Sequence, residues 1–116
     1  MITKNNKRLF PRVQFKGQLH YQVRGTHVFT DTIVDDISSG GVAFANDRYL
    51  APLTQLNLEI NLNNHLLRPI GKVVWTSPFS HADRFKTGVE FLEFDQREKK
   101  LLSDFVGMRL DQTQGV

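Results

Sequence analysis

The sequence predicts an all-β fold, a six-stranded antiparallel β-barrel with one C-terminal α-helix. Between residues 12 and 94, short segments alternate apolar and polar residues with the period of two typical of half-buried strands. Turn residues separate these segments, and no helical pattern lies between them. The chain has 116 residues, which fits one domain. This pattern favours a closed antiparallel barrel or a small sandwich, and we choose the barrel because closure removes strand edges that so small a domain has little material to cover.

The alternation places six strands along the chain. They cover residues 13–23, 28–34, 42–45, 56–62, 66–75 and 85–94. The fourth is the most regular, and Asn63 and Asn64 after it suit a tight hairpin because Asn tolerates positive φ. The returning strand is expected to bend near Pro69. Residues 35–41 are interpreted as a polar connection.

The helix is predicted over residues 95–110. Asp95 is the expected N-cap, and Glu98 completes a capping box. An apolar stripe follows, which we expect to pack against the barrel rather than against a partner. The predicted organisation is therefore a flexible basic arm (1–12), a barrel with its helix (13–110) and a polar tail (111–116).

Charge and composition limit the possible functions. The net charge is only +3, but six Lys and Arg residues precede the first acidic residue, Asp31. This distribution indicates either a local anionic partner or a solvated basic tail. The chain has no cysteine, no apolar stretch near the roughly 20 residues of a membrane helix, and no apolar core of a signal peptide. A cytoplasmic protein is expected.

Catalytic patterns are absent from the sequence. The histidines His20, His27, His65 and His81 lie in separate segments without metal-ligand spacing. Asp35 and Asp36 are adjacent, so a regular strand would point their carboxylates to opposite faces. We therefore predict no enzyme, no metal and no cofactor.

Two short elements carry binding chemistry. Arg8 and Arg12 lie four residues apart around Pro11, which prevents a regular helix. Each guanidinium can grip a phosphate or the edge of a guanine, and it can stack on a purine face. The second element contains Asp36 and Ser38. A carboxylate can accept hydrogen bonds from N1–H and N2–H₂ of guanine, although such residues also cap ordinary turns.

Glycines follow the second element directly. Gly40 and Gly41 are expected to let the backbone turn sharply and to approach a ligand without a Cβ in the way.

Together and in this order, the elements resemble the PilZ domain, a bacterial receptor module for cyclic di-GMP. The R-x-x-x-R motif of that family is matched by Arg8 and Arg12. Its [D/N]-x-S-x-x-G motif is matched by Asp36, Ser38 and Gly41. The resemblance extends over residues 7–106 and includes Val73-Val74-Trp75, Gly88-Val89-Glu90-Phe91 and the final helix.

The resemblance implies a barrel that binds cyclic di-GMP without catalysis. The implied ligand-binding residues are Lys7, Arg8, Arg12, Asp36, Ser38, Gly40, Gly41 and Trp75. In this scheme the arginines clamp phosphates and guanine faces, while the Asp and Ser read a guanine edge. Lys7 occupies a position where the family often has a basic residue that touches the ligand. The indole of Trp75 either stacks on a guanine or fills the barrel wall.

The leading hypothesis is a stand-alone cyclic di-GMP receptor that signals to an unidentified partner protein as its arm becomes ordered. One alternative is a small basic barrel that binds single-stranded nucleic acid, although the basic residues are concentrated at one end. The other is a PilZ-like docking module that binds no nucleotide.

Overall fold

The computed structural model describes residues 10–80 and 82–114, which form eight strands and one helix. The elements are β1 (Val13–Gln14), β2 (Gln18–Val23), β3 (Phe29–Ile37), β4 (Gly41–Asn46), β5 (Gln55–Leu62), β6 (His65–Leu67), β7 (Ile70–Pro78), β8 (Phe85–Glu93) and α1 (Gln96–Gln114). Six strands pair antiparallel in the order β3-β2-β5-β7-β8-β4, and β4 pairs with β3 to close the barrel. The predicted six-stranded barrel is confirmed, with β1 and β6 as additional strands.

The prediction of one continuous strand over residues 13–23 is wrong, because the structure has two strands there, β1 and β2. The odd-numbered apolar residues do face inward, but the strand breaks at 15–17 and changes its position along β3. In β1, Val13 pairs with Ile37, whereas β2 pairs with the first half of β3. The break coincides with Gly17, where an added Cβ would lie 2.3 Å from the ring of Phe15. The alternation continues across the break and so conceals it.

The hairpin between β5 and β6 forms as predicted. Asn63 and Asn64 have φ values of 49° and 71°, the left-handed region that a tight two-residue turn requires. The returning strand is interrupted after Leu67, next to the predicted bend at Pro69, and resumes as β7.

The helix caps the barrel core. Asp95 is the predicted N-cap: its Oδ1 accepts from the backbone N–H of Arg97 at 2.9 Å and of Glu98 at 3.3 Å. The Glu98 carboxylate accepts from the N–H of Arg68 at 2.7 Å, which ties the helix to the link between β6 and β7. The helix extends to Gln114, four residues past its predicted end.

The apolar stripe of α1 packs against the barrel, as expected. Leu102, Phe105 and Val106 join the buried core, and the ring of Phe105 meets that of Phe15 edge-on at 5.2 Å. None of the described residues forms a helix long and apolar enough to cross a membrane.

Candidate functional site

The two predicted binding elements converge at β1. Antiparallel pairing places Val13 opposite Ile37 and Gln14 opposite Asp36. Extending this register by one residue brings Arg12, which is exposed, opposite Ser38. Lys7 and Arg8 lie outside the described residues.

The outer surface of the barrel carries a row of four residues across neighbouring strands. Asp36 on β3 pairs with Ala43 on β4, Ala43 pairs with Gly88 on β8, and Gly88 pairs with Trp75 on β7. Paired residues project to the same face of a sheet. We call these four residues the outer row; a carboxylate lies at one end, an indole at the other, and two small residues lie between them.

Two β-bulges turn the ends of the outer row outward. On β3 the register shifts between Val34 and Asp36, and on β7 it shifts between Val73 and Trp75. Val34 and Val73 are fully buried, so strict alternation would point Asp36 and Trp75 inward as well. The extra residue in each strand reverses this and places both side chains on the outside.

The indole of Trp75 lies directly on Gly88. A Cβ added at that glycine would be 2.2 Å from Cε2 and 2.3 Å from Nε1 of the ring. The half-buried indole therefore packs on the outer face of the barrel wall, and a contact between Trp75 and a guanine stays a prediction. Gly88 was not predicted as a site residue. A glycine inside a strand, which often marks close approach of another group, was the available signal.

The carboxylates of Asp35 and Asp36 reach the same ammonium, contrary to the expectation that they point to opposite faces. Lys86 Nζ lies 2.6 Å from Asp35 Oδ2 and 3.6 Å from Asp36 Oδ2. The bulge on β3 is the reason, since it lies between Val34 and Asp36 and breaks the alternation there. Lys16 Nζ contacts the other oxygen of Asp35 at 2.6 Å.

These ion pairs affect protonation. Hydrogen bonds from Lys16, and after it from Lys86, lower the pKa of the Asp35 carboxyl below its ordinary value. The hydrogen bond with Asp35 raises the pKa of the Lys86 ammonium. Lys16, Asp35 and Lys86 were missed as neighbours of the site, and no motif in the sequence marks them.

The loop from Ser38 to Gly41 is held by its own hydrogen bonds. The Ser38 hydroxyl oxygen accepts from the N–H groups of Gly40 and Gly41, both at 3.1 Å, and the side chain is buried. The turn-capping alternative therefore describes Ser38 in this structure, whereas Asp36 pairs with Lys86 instead.

The glycines of this loop serve close packing rather than a special backbone conformation. The chain does turn sharply here, since β3 and β4 pair antiparallel across residues 38–40, but neither Gly40 nor Gly41 has a positive φ. An added Cβ at Gly41 would lie 2.2 Å from the carbonyl oxygen of Val89, and one at Gly40 would lie 2.4 Å from the ring of Phe10.

The site suits a flat, polar, anionic ligand. The indole offers an aromatic face, Asp36 offers hydrogen-bond acceptors, and Arg12 offers a forked cation. Across residues 10–80 and 82–114, no three acidic or histidine side chains cluster in a way that would hold a metal ion. His81 lies outside this description.

Comparison with known proteins identifies the family. The model of the PilZ domain matches residues 6–107. The chain belongs to the PilZ family. No match was found among curated proteins.

Solved structures share the fold at low sequence identity. The inhibitor of motility MotI/DgrA of Bacillus subtilis superposes with a TM-score of 0.81 at 18% identity, over 92% of this chain and 53% of that one. The PilZ domain of Escherichia coli YcgR, solved with c-di-GMP, gives 0.71 at 10% identity over 94% and 95%. Borreliella burgdorferi PlzA, in complex with c-di-GMP, gives 0.61 at 15% identity over 90% and 43%. This chain thus spans about half of the MotI/DgrA structure, less than half of PlzA, and nearly all of the YcgR domain.

Proposed function

We propose that this PilZ protein is a receptor for cyclic di-GMP and performs no catalysis. The observation that carries the proposal is the pairing of β1 with β3, which brings Arg12 beside the end of the outer row that holds Asp36. Two of the structures with this fold, YcgR and PlzA, contain c-di-GMP. This supports the same ligand class for this chain.

The charges around the outer row suit a ligand that combines guanines with phosphates. Lys16 and Lys86 lie within 2.6 Å of Asp35, and Asp36 is at the longer distance of 3.6 Å from Lys86. Asp35 thus takes the closest contacts with both lysines, and Asp36 keeps acceptor capacity for the N1–H and N2–H₂ of a guanine. Two lysines balance two carboxylates, so the arginines supply the positive charge that a dianion requires.

The remaining predicted residues take supporting roles. Trp75 offers its face to a guanine, and Arg12 with Arg8 and Lys7 grips phosphates and guanine faces. Ser38 and Gly41 act by shaping the loop. Signal transmission follows from ordering of the arm on the barrel, which presents a changed surface to a partner protein.

A calorimetric titration with cyclic di-GMP tests the proposal. The wild type is expected to bind in the micromolar range or tighter. Arg12→Ala should weaken binding by about thirtyfold or more, since it removes charge-assisted hydrogen bonds worth about 2 kcal/mol. Arg24→Ala is the matched control: it removes the same charge in the turn that joins β2 and β3, and should bind as the wild type does.

The same titration followed by ¹⁵N relaxation examines the arm, with the amides of residues 5–9 expected to become rigid at saturation. Absence of heat with an unshifted melting temperature would reject the receptor function. In that case, steeply salt-dependent binding of a single-stranded oligonucleotide would identify the nucleic-acid alternative.

A further inference from the structure

Phe10 lies at the centre of the R-x-x-x-R motif, and its side chain rests on the loop that follows β3. A Cβ built on Gly40 would lie 2.4 Å from Cδ2, 2.8 Å from Cε2 and 3.1 Å from Cγ of the Phe10 ring. Half of the Phe10 surface is exposed (50%), so the ring covers the loop without entering the core. Contact this close is possible only because residue 40 is a glycine.

The loop beneath the ring is held by backbone and side-chain hydrogen bonds. Both backbone groups of Gly40 are hydrogen-bonded: its N–H donates to Ser38 Oγ at 3.1 Å, and its carbonyl accepts from the N–H of Phe91 at 2.9 Å. The N–H of Ser38 also donates to the carbonyl of Gly41 at 2.9 Å. A loop held by β8 and by its own turn provides a firm support for an aromatic ring.

We propose that Phe10 is a positioning residue for the ligand-binding arginines, and that Gly40 is the socket in which it docks. Arg8 and Arg12 lie two residues before and after Phe10 in the sequence. Two residues of chain span at most about 7 Å, so an anchored Phe10 restricts where either guanidinium can go. Pro11, with its fixed φ, removes further freedom between the anchor and Arg12. The anchor thereby reduces the conformational entropy that the arginines lose on binding.

This inference rests on the proposed function and assigns Gly40 a different role from the one that the family resemblance implies. If Gly40 leaves room for the ligand, a methyl group there obstructs the ligand whatever residue stands at position 10. If Gly40 is the socket for Phe10, the methyl group matters only while the ring is present. A double-mutant cycle separates these two roles.

The experiment measures the affinity for cyclic di-GMP of Phe10→Ala, Gly40→Ala and the double variant. Each single substitution should weaken binding by about tenfold, because the arginines must then be ordered by the ligand itself. In the Phe10→Ala background, Gly40→Ala should cause no further loss. Phe10→Tyr keeps the ring and should bind as the wild type does.

The matched control is Phe29→Ala. Phe29 has nearly the same exposure (52%) and lies on β3 seven residues before Asp36. This variant should bind normally. The melting temperature of Phe10→Ala should remain that of the wild type, which distinguishes positioning from loss of the fold.

Two results would overturn the inference: wild-type affinity in Phe10→Ala, or an equal loss from Gly40→Ala with and without the ring. If the wild type itself binds no cyclic di-GMP, the proposed function fails. The contact between Phe10 and Gly40 is then tested by itself through the Gly40 Hα chemical shift. An aromatic ring this close moves that shift away from its ordinary value, and Phe10→Ala should return it to that value. An unmoved shift rejects the socket.

Discussion

Replacing Gly88 by alanine introduces a methyl group into the space that the Trp75 indole occupies. The added carbon would be 2.2 Å from Cε2 and 2.6 Å from Cζ2 of the ring. Non-bonded carbons rest about 3.5–4.0 Å apart, so the ring must retreat by about 1.3–1.8 Å. Since Trp75 is only half-buried, it can swing outward, and the expected cost is in the lower part of the overpacking range, about 1–2 kcal/mol. At roughly 4 °C per kcal/mol for a domain of this size, the melting temperature should fall by about 4–8 °C.

Intrinsic fluorescence measures this displacement directly, because Trp75 is the sole tryptophan of the chain. The emission of Gly88→Ala should shift to longer wavelength, and iodide should quench it more strongly than in the wild type. Gly107→Ala is the matched control, since nothing lies within 4 Å of the methyl group that it adds on α1. That control should leave the emission unchanged and stabilise the protein by up to about 1 kcal/mol through helix propensity.

Unchanged emission together with an unchanged melting temperature in Gly88→Ala would refute the placement of the indole on Gly88. The outer row would then lose its aromatic end. If the emission changes as expected, the same variant should also bind cyclic di-GMP more weakly, because its stacking face is displaced.

Two further predictions concern charged groups around the barrel. The pKa of Asp35 is lowered first by Lys16 and then by Lys86, so its stabilising effect is complete above the ordinary value of 3.8 and is lost as the pH falls through the lower, folded-state pKa. Urea unfolding between pH 2.5 and 6 should therefore show that the free energy of unfolding falls less steeply below about pH 4 in Asp35→Asn than in the wild type. The difference should be less than about 1 kcal/mol, because these ion pairs are exposed to solvent, and the same pH dependence in both proteins would contradict the prediction. Glu98→Ala should lower the free energy of unfolding by about 1 kcal/mol by removing the acceptor for the Arg68 N–H, whereas Glu98→Gln keeps an acceptor and should cost less than half as much. Equal losses in the two variants would mean that the carboxylate charge, and not this bond, matters.

Much of the barrel could be predicted because its regular parts obey local rules. The alternation over residues 56–62 gave both the strand and its inward face, since Leu56, Leu58 and Ile60 are fully buried. Asn63 and Asn64 predicted the hairpin through their tolerance of positive φ. These features depend on a few consecutive residues, and a single sequence contains them completely.

The break in the first predicted strand could not be predicted in this way. Phe15 and Leu19 continue the same inward alternation across Gly17, and both are buried. What changes at the break is the part of β3 that each half contacts, with Val13 opposite Ile37 and Gln18 opposite Ile33. Pairing partners are a property of the closed barrel, and periodicity along one strand carries no information about them.

The candidate site stays a prediction, and the structure adds neighbours that the motifs did not name. The motifs named Arg12 and Asp36, which the fold brings together, but they did not name Lys86 or Gly88. Lys86 is far from Asp36 in the sequence and joins it only because β8 and β3 both pair with β4. Ser38 was named for a direct contact, yet in the structure its hydroxyl secures the loop.

The two bulges explain why the outward side chains at this site were hard to foresee. On β3 the buried residues Val34 and Ile37 are three apart rather than two, and this spacing requires one extra residue between them. The same irregularity on β7 turns Trp75 away from the core that holds Val73. In each strand the residue directly after the bulge is an end of the outer row. The spacing of three between core residues on β3 is therefore a signal for this surface, because it shows where the barrel keeps its core intact and still turns a polar side chain outward.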